Sequence, residues 1–456
     1  MSRSSTTLPA RESVLITGGQ VVTCDPDDRV VEGDVLVEDG RITAIGPDAL
    51  ARRARPGLVR VLDASGCAVL PGFVQAHIHL CQTLFRGMAD DLPLLEWLRE
   101  RVWPLEAAHD ERSLSASADL GLLEMVLGGT TTVLDMGTVN GHDAVFEACA
   151  ASGLRVFSGK AMMDSGEGVP KGLRESTRRS LDESDALFAR WDGAAEGRLR
   201  YAYAPRFILS CTERLFRGVV ERARENGAKL HSHAAEHPGE RRAVRELLGR
   251  DDVDVLESYG FCGENTLLAH GVQLTKAQEK RAAKLGTRFV HCPSSNLKLG
   301  SGIARVHDLL ASGVKVGLGA DGAPCTNNLD AFTELRHAAL LAKTRTGTTS
   351  LPARLALRLA TVLGAEALGV AGEVGSLEPG KRADLQVVRL DGPHVEPGGD
   401  VFSRLVYACR SSDVVHVLVD GRLLVKLGES TVYDRERVTR AARAQGDAVR
   451  ARARLS

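Results

Sequence analysis

Among its 456 residues the chain has no apolar run approaching the roughly 18 residues of a membrane span, few aromatics (4%) and almost no net charge, with 58 Lys and Arg against 59 Asp and Glu. The first absence excludes a transmembrane helix. The other two remove the basic, aromatic-interleaved surface that marks a nucleic-acid binder, so neither nucleic acid nor membrane is expected as a partner. Cysteine pairing is absent too. Cys24, Cys67, Cys81, Cys149, Cys211, Cys262, Cys292, Cys325 and Cys409 are odd in number and form no C-x-x-C pair, which reads as reduced thiols used as small core residues. Met1 to Glu12 lacks the apolar core of a secretory signal, and the cytoplasm is the expected compartment. What is present is 43% hydrophobic residues at a mean hydropathy of −0.09. That is too apolar for a disordered chain, and the length suits one large domain plus a smaller one.

The first stretch alternates apolar and polar residues between turn signals, in Val14 to Gly19 and again in Val35 to Ile42. Asp39-Gly40 between two such runs predicts a hairpin. The same texture returns in Ala383 to Val388 and Val415 to Leu423. Both chain ends are therefore expected to form one small β-sandwich-like domain from 1–68 and 371–430, with a helix over 431–456. Between them eight β-prone runs recur: Phe73 to His79, Thr130 to Met136, Arg155 to Met163, Leu199 to Arg206, Lys229 to His233, Thr266 to His270, Thr287 to His291 and Val314 to Asp321. Helical segments fill the gaps, among them Ser115 to Leu127, Leu215 to Asn226, Lys276 to Leu285 and Val306 to Ser312, most of them ended by Gly. This is the pattern of an α/β fold with a closed (β/α)8 TIM-like barrel over 69–370. An open doubly wound sheet is the alternative. Against it, no G-x-G-x-x-G follows the early strands, and the polar chemistry falls at the C-terminal ends of several strands.

His77 and His79 close the apolar run Gly72 to His79, and residues i and i+2 of a strand share a face. A lone histidine there is more often structural. Two on one face suit a metal, provided other strand ends supply further ligands. The fifth run ends in His231-Ser232-His233-Ala234-Ala235-Glu236, the sixth in His270 and the eighth in Asp321-Gly322. Three imidazoles and a carboxylate make a mixed N/O site suited to zinc, with iron as the alternative and a position left for water.

With these residues in place the sequence resembles the amidohydrolase superfamily, in the branch of adenosine-type, S-adenosylhomocysteine-type and guanine deaminases and triazine hydrolases. The motifs are Pro71-Gly72 before His77-x-His79, Asp91 to Leu98, His233-Ala-Ala-Glu236, Ala269-His270, His291 to Gly300, Gly319 to Gly322 and Gly375 to Asp384. The resemblance implies that His77, His79, His233 and Asp321 bind one divalent metal, that Asp321 also acts as base, and that Glu236 and His270 act beside the reacting ring. Arg206 stands where binuclear members carry lysine, which implies one metal rather than two. His231 shares a face with His233, but the family spacing to the glutamate selects His233. Gln82, Arg206 and Phe207 match positions that guanine deaminases use for the purine, whereas Glu106 matches the position that holds ribose hydroxyls. Replacing Arg206 and Glu106 in turn is expected to separate guanine from a nucleoside. Trp97 lies in an apolar helical stripe and is expected to pack in the core rather than stack on a base.

The implied activity is metal-dependent hydrolytic deamination of a purine-type compound, 5'-deoxyadenosine or a related derivative ahead of guanine. A triazine-type chlorohydrolase is the alternative enzyme. An inactive scaffold of the same fold is the third reading, and it predicts lost ligands that are here all present. A small-molecule substrate is the expected partner, with a homo-oligomer left open.

Overall fold

The computed structural model describes residues 8–47, 49 and 59–455. Met1 to Thr7 of the segment read as lacking a signal, and Ser456 of the tail, lie outside them. The first strands are Ser13–Val22 (β1), Val30–Glu38 (β2), Arg41–Ile45 (β3), Val59–Asp63 (β4) and Cys67–Pro71 (β5). The hairpin expected at Asp39-Gly40 joins β2 to β3, with both turn residues left-handed at φ 51° and 77°. That is the geometry of a two-residue turn matching strand twist.

The barrel follows: Phe73–Ile78 (β6), Thr130–Met136 (β7), Arg155–Gly159 (β8) with its extension Ala161–Met162 (β9), Leu199–Pro205 (β10), Lys229–Ala234 (β11), Thr266–His270 (β12), Arg288–His291 (β13) and Val316–Leu318 (β14). Each pairs in parallel with the next, β8 passing directly to β10, and β14 returns to β6 through Leu318 and Gln75. The sheet is closed, which settles the choice against an open doubly wound sheet. Every residue of β7 is buried, as expected of strands covered on both faces. Inside, Val74, Leu134, Phe157, Ala202, Leu267 and Val290, from six strands, form an apolar plug. The helices outside start where their caps allow. Asp110 and Ser113 bond each other's backbone at the start of Glu111–Leu127, and Thr275 and Gln278 do the same before Lys276–Leu285.

The last strands, Leu385–Arg389 (β15), Val414–Val419 (β16), Arg422–Lys426 (β17) and Glu429–Ser430 (β18), join β1 to β5 in one sheet through the antiparallel pair β15–β5. β5 carries this sheet across residue 68 as far as Pro71. Two turns meet where the chain ends come together. Asp420-Gly421 is left-handed like Asp39-Gly40, and a Cβ on Gly40 would stand 2.7 Å from the Asp420 carbonyl oxygen. Below them the Arg155 guanidinium, at the start of β8, donates to Asp384 at 2.9 Å and Asp420 at 3.0 Å, all three buried. The tail helix Arg435–Ala453 buries Val438, Ala442 and Val449, two of which pack with Leu84, Phe85 and Leu105.

Candidate active site

The C-terminal ends of β6, β11 and β12 and the segment after β14 converge above the apolar plug. β6 reaches it through a bulge. Its register against β7 shifts between Gln75 and Ile78, so Ala76 packs into the plug while its neighbour His77 joins the imidazoles above. Simple alternation does not anticipate this. Asp321 was expected as the end of a strand from Val314, yet β14 stops at Leu318. A Cβ on Gly319 would stand 2.5 Å from the His77 carbonyl oxygen. Past that crowded point Asp321 is left-handed, at φ 63°, with its amide donating to His77.

Ligand atoms of His77, His79, His233 and Asp321 lie within 4.8 Å of one another, all buried. Each ring is oriented from behind. His79 Nδ1 donates to the Met136 carbonyl at 2.8 Å, His233 Nδ1 to the Arg206 carbonyl at 2.8 Å, and His77 Nδ1 contacts His231 Nε2 at 2.7 Å. Burial lowers the pKa of His77 to about 4 and holds His233 well below the usual imidazole value, so these rings are neutral. In the tautomer that donates from Nδ1 to a carbonyl, His79 and His233 each present a bare Nε2, and these two atoms face each other at 3.2 Å. Asp321 Oδ1 stands 3.3 Å and 3.2 Å from the Nε2 atoms of His77 and His79. Facing lone pairs beside a carboxylate repel unless a cation sits among them, so this donor set fits a divalent metal with N/O preference.

Glu236 and His270 stand beside this cluster. His270, left-handed at φ 78°, donates from Nδ1 to Asn296 Oδ1 at 2.9 Å, which leaves its Nε2 bare, 3.5 Å from Glu236 Oε2. Glu236 does not serve as a helix-start carboxylate. The helix Pro238–Leu248 is capped by His237 and Glu240 instead. Burial, reinforced by the Glu240 and Asp321 charges, raises the Glu236 pKa well above the ordinary range. Two residues without an expected role act here: the Ser295 hydroxyl donates to Asp321 Oδ2 at 2.6 Å, and Asn296 sets the His270 tautomer. Both lie in the motif His291 to Gly300, and their placement just after a barrel strand was the available signal.

The cavity over these groups is lined by Gln82, Trp97, Arg206, Phe207 and Cys325 as well as the polar cluster. Trp97 both packs, its Nε1 donating to Ala89 at 3.0 Å, and faces the cavity. Glu106 and Arg206 do not act apart, contrary to the expectation. The guanidinium clamps both Glu106 oxygens, at 2.5 Å and 3.1 Å, while Gln82 Nε2 donates to Oε1 at 2.8 Å. Both charges are buried, so replacing one strands the other. His231 is not among the facing ligand atoms. It reaches the cluster only through His77.

The model describing the amidohydrolase family matches residues 68–424. The 5'-deoxyadenosine deaminase of Methanosarcina acetivorans is 39% identical over 442 residues, covering 96% of this chain and 99% of that protein. A 5-methylthioadenosine/S-adenosylhomocysteine deaminase of Moorella thermoacetica is 40% identical over 408 residues, covering 89% and 93%. Among solved structures, an adenosine deaminase from Xanthomonas campestris with bound zinc superposes with a TM-score of 0.90 at 32% identity, covering 97% of this chain and all of that one. Among the described residues no helix is long and apolar enough to cross a membrane.

Proposed function

Because the chain belongs to the amidohydrolase family, we propose that its cavity carries out hydrolytic deamination of a purine-type compound with release of ammonia, a 5'-deoxyadenosine-like nucleoside ahead of guanine. The observation that carries the chemistry is the pair of bare Nε2 atoms facing each other beside Asp321 and within reach of Glu236 and His270. The names of the relatives support the nucleoside. His77, His79, His233 and Asp321 would hold one divalent ion, with zinc ahead of iron. Arg206, committed to Glu106, leaves no ligand there for a second. Bound, such an ion would supply Lewis acidity and a hydroxide nucleophile near neutral pH.

The chain's own groups do the rest. Glu236, whose burial favours the protonated form, can donate a proton to the ring nitrogen next to the carbon bearing the amine. His270 Nε2 accepts a hydrogen bond from the attacking water and so orients it. Asp321 Oδ2, held by Ser295, is placed to take the water's proton. Phe207 and Trp97 wall the cavity against a flat heterocycle.

A panel of 5'-deoxyadenosine, methylthioadenosine, S-adenosylhomocysteine, adenosine and guanine, assayed for ammonia, tests the reading. A nucleoside with a modified 5' position should lead. Chloride released from a chlorotriazine, with no ammonia from any purine, would replace this function by the triazine alternative. His79→Ala should lower metal content and ammonia release together, and unchanged metal by elemental analysis would refute the ligand assignment.

A further inference from the structure

His231 lies in the barrel interior, two residues below His233 on β11, and its ring is held at both ends. Its Nδ1 lies 3.0 Å from the Leu267 carbonyl oxygen, and its Nε2 lies 2.7 Å from His77 Nδ1. A carbonyl oxygen only accepts, so the single proton of a neutral His231 is on Nδ1 and its Nε2 is bare. A bare Nε2 at that distance requires a proton on His77 Nδ1, which empties His77 Nε2. That atom is buried without a hydrogen-bond partner and lies 3.3 Å from Asp321 Oδ1. The direction of the whole chain is set by one peptide oxygen on β12. The two other acceptors behind the cluster differ from this one. His79 and His233 rest directly on carbonyls, whereas an imidazole is interposed for His77 alone.

We propose that His231 is a positioning residue that locks His77 in its Nδ1–H tautomer, so that Nε2 is presented to the metal before any metal arrives. His231 touches neither substrate nor metal. Without an acceptor there, His77 is free to carry its proton on Nε2, facing the place where the cation belongs, and the ring must then change tautomer for binding to occur. Partners that orient a metal-bound histidine in this way typically contribute 10- to 100-fold in affinity. The inference rests on the metal-centre reading above.

The test compares zinc binding by apo-protein, prepared with a chelator, for the wild type, His231→Phe and His231→Gln, by competition against a chromophoric chelator. Phe keeps a ring of similar size without an acceptor, whereas the Gln carbonyl can accept from His77. The Phe variant should bind zinc about 10- to 100-fold more weakly, and Gln should recover most of the loss. Equal binding by Phe and wild type overturns the proposal. So does equal loss in both variants, which would show that an acceptor for His77 does not restore binding. If neither variant folds, nitrogen NMR of histidine-labelled wild-type apo-protein decides: His77 must show a protonated Nδ1 and a bare Nε2, and the opposite tautomer overturns the lock. Failure of the wild type itself to bind zinc would instead sink the metal-centre reading.

Discussion

At the scale of single residues the site is a set of protons with nowhere else to go. Among the described residues no cation is bonded to Glu236, and its burial raises its pKa and favours the acid form. Glu236→Gln preserves the shape and removes the transferable proton, so kcat should fall about 100- to 10,000-fold with metal content unchanged. A change below about threefold, measured by ammonia release, would place the proton donor elsewhere. Arg206 and Glu106 make the opposite case, two charges that satisfy each other. Removing one partner of a buried pair typically costs about 3–5 kcal/mol. Arg206→Met and Glu106→Gln should each lose stability on that scale, and the double variant should lose less than their sum by about 1–3 kcal/mol in denaturant melts. Strict additivity would show that they do not form a unit. Their separation of a hundred positions in the chain is why the sequence presents two independent contacts where the fold has one clamp.

At the scale of elements, the turns and strand ends were the most legible parts. Asp39-Gly40 makes a hairpin because its own chemistry favours left-handed backbone at both positions, and Thr130–Met136 and Thr266–His270 are bounded as their apolar runs are. The presence of His77, His79, His233, His270 and Asp321 near strand ends could be read from spacing. What could not be read are features decided by a neighbouring strand: the bulge in β6, the early end of β14 against the His77 backbone, and the ring behind His77. Each depends on a contact between segments far apart in sequence. The Asp39-Gly40 turn also has a role beyond its own hairpin, because it abuts the Asp420-Gly421 turn. Gly40→Ala should therefore cost about 1–3 kcal/mol through backbone strain and crowding against the Asp420 carbonyl. A melting temperature equal to wild type would show that the turn yields freely.

At the scale of the whole molecule, the sheet built from both chain ends is tied to the barrel by Arg155 between Asp384 and Asp420. Arg155→Leu strands the buried Asp384 carboxylate beside Asp420, which keeps Arg11 and Arg382, and should cost about 3–5 kcal/mol. If that bond couples the two units, the wild type melts in one calorimetric transition and the variant in two. A single, unshifted transition in the variant would show that the units are held together otherwise. The same topology has a consequence during synthesis. β5 cannot meet its partner β15 until roughly 300 further residues have been made. At about 5–20 residues per second its edge stays open on the ribosome for roughly 15 to 60 s. An unpaired strand edge is a template for pairing with another chain. Nascent copies crowded on one message are therefore at their most adhesive while the barrel is being made, and the first hundred residues are the part a chaperone has most reason to hold.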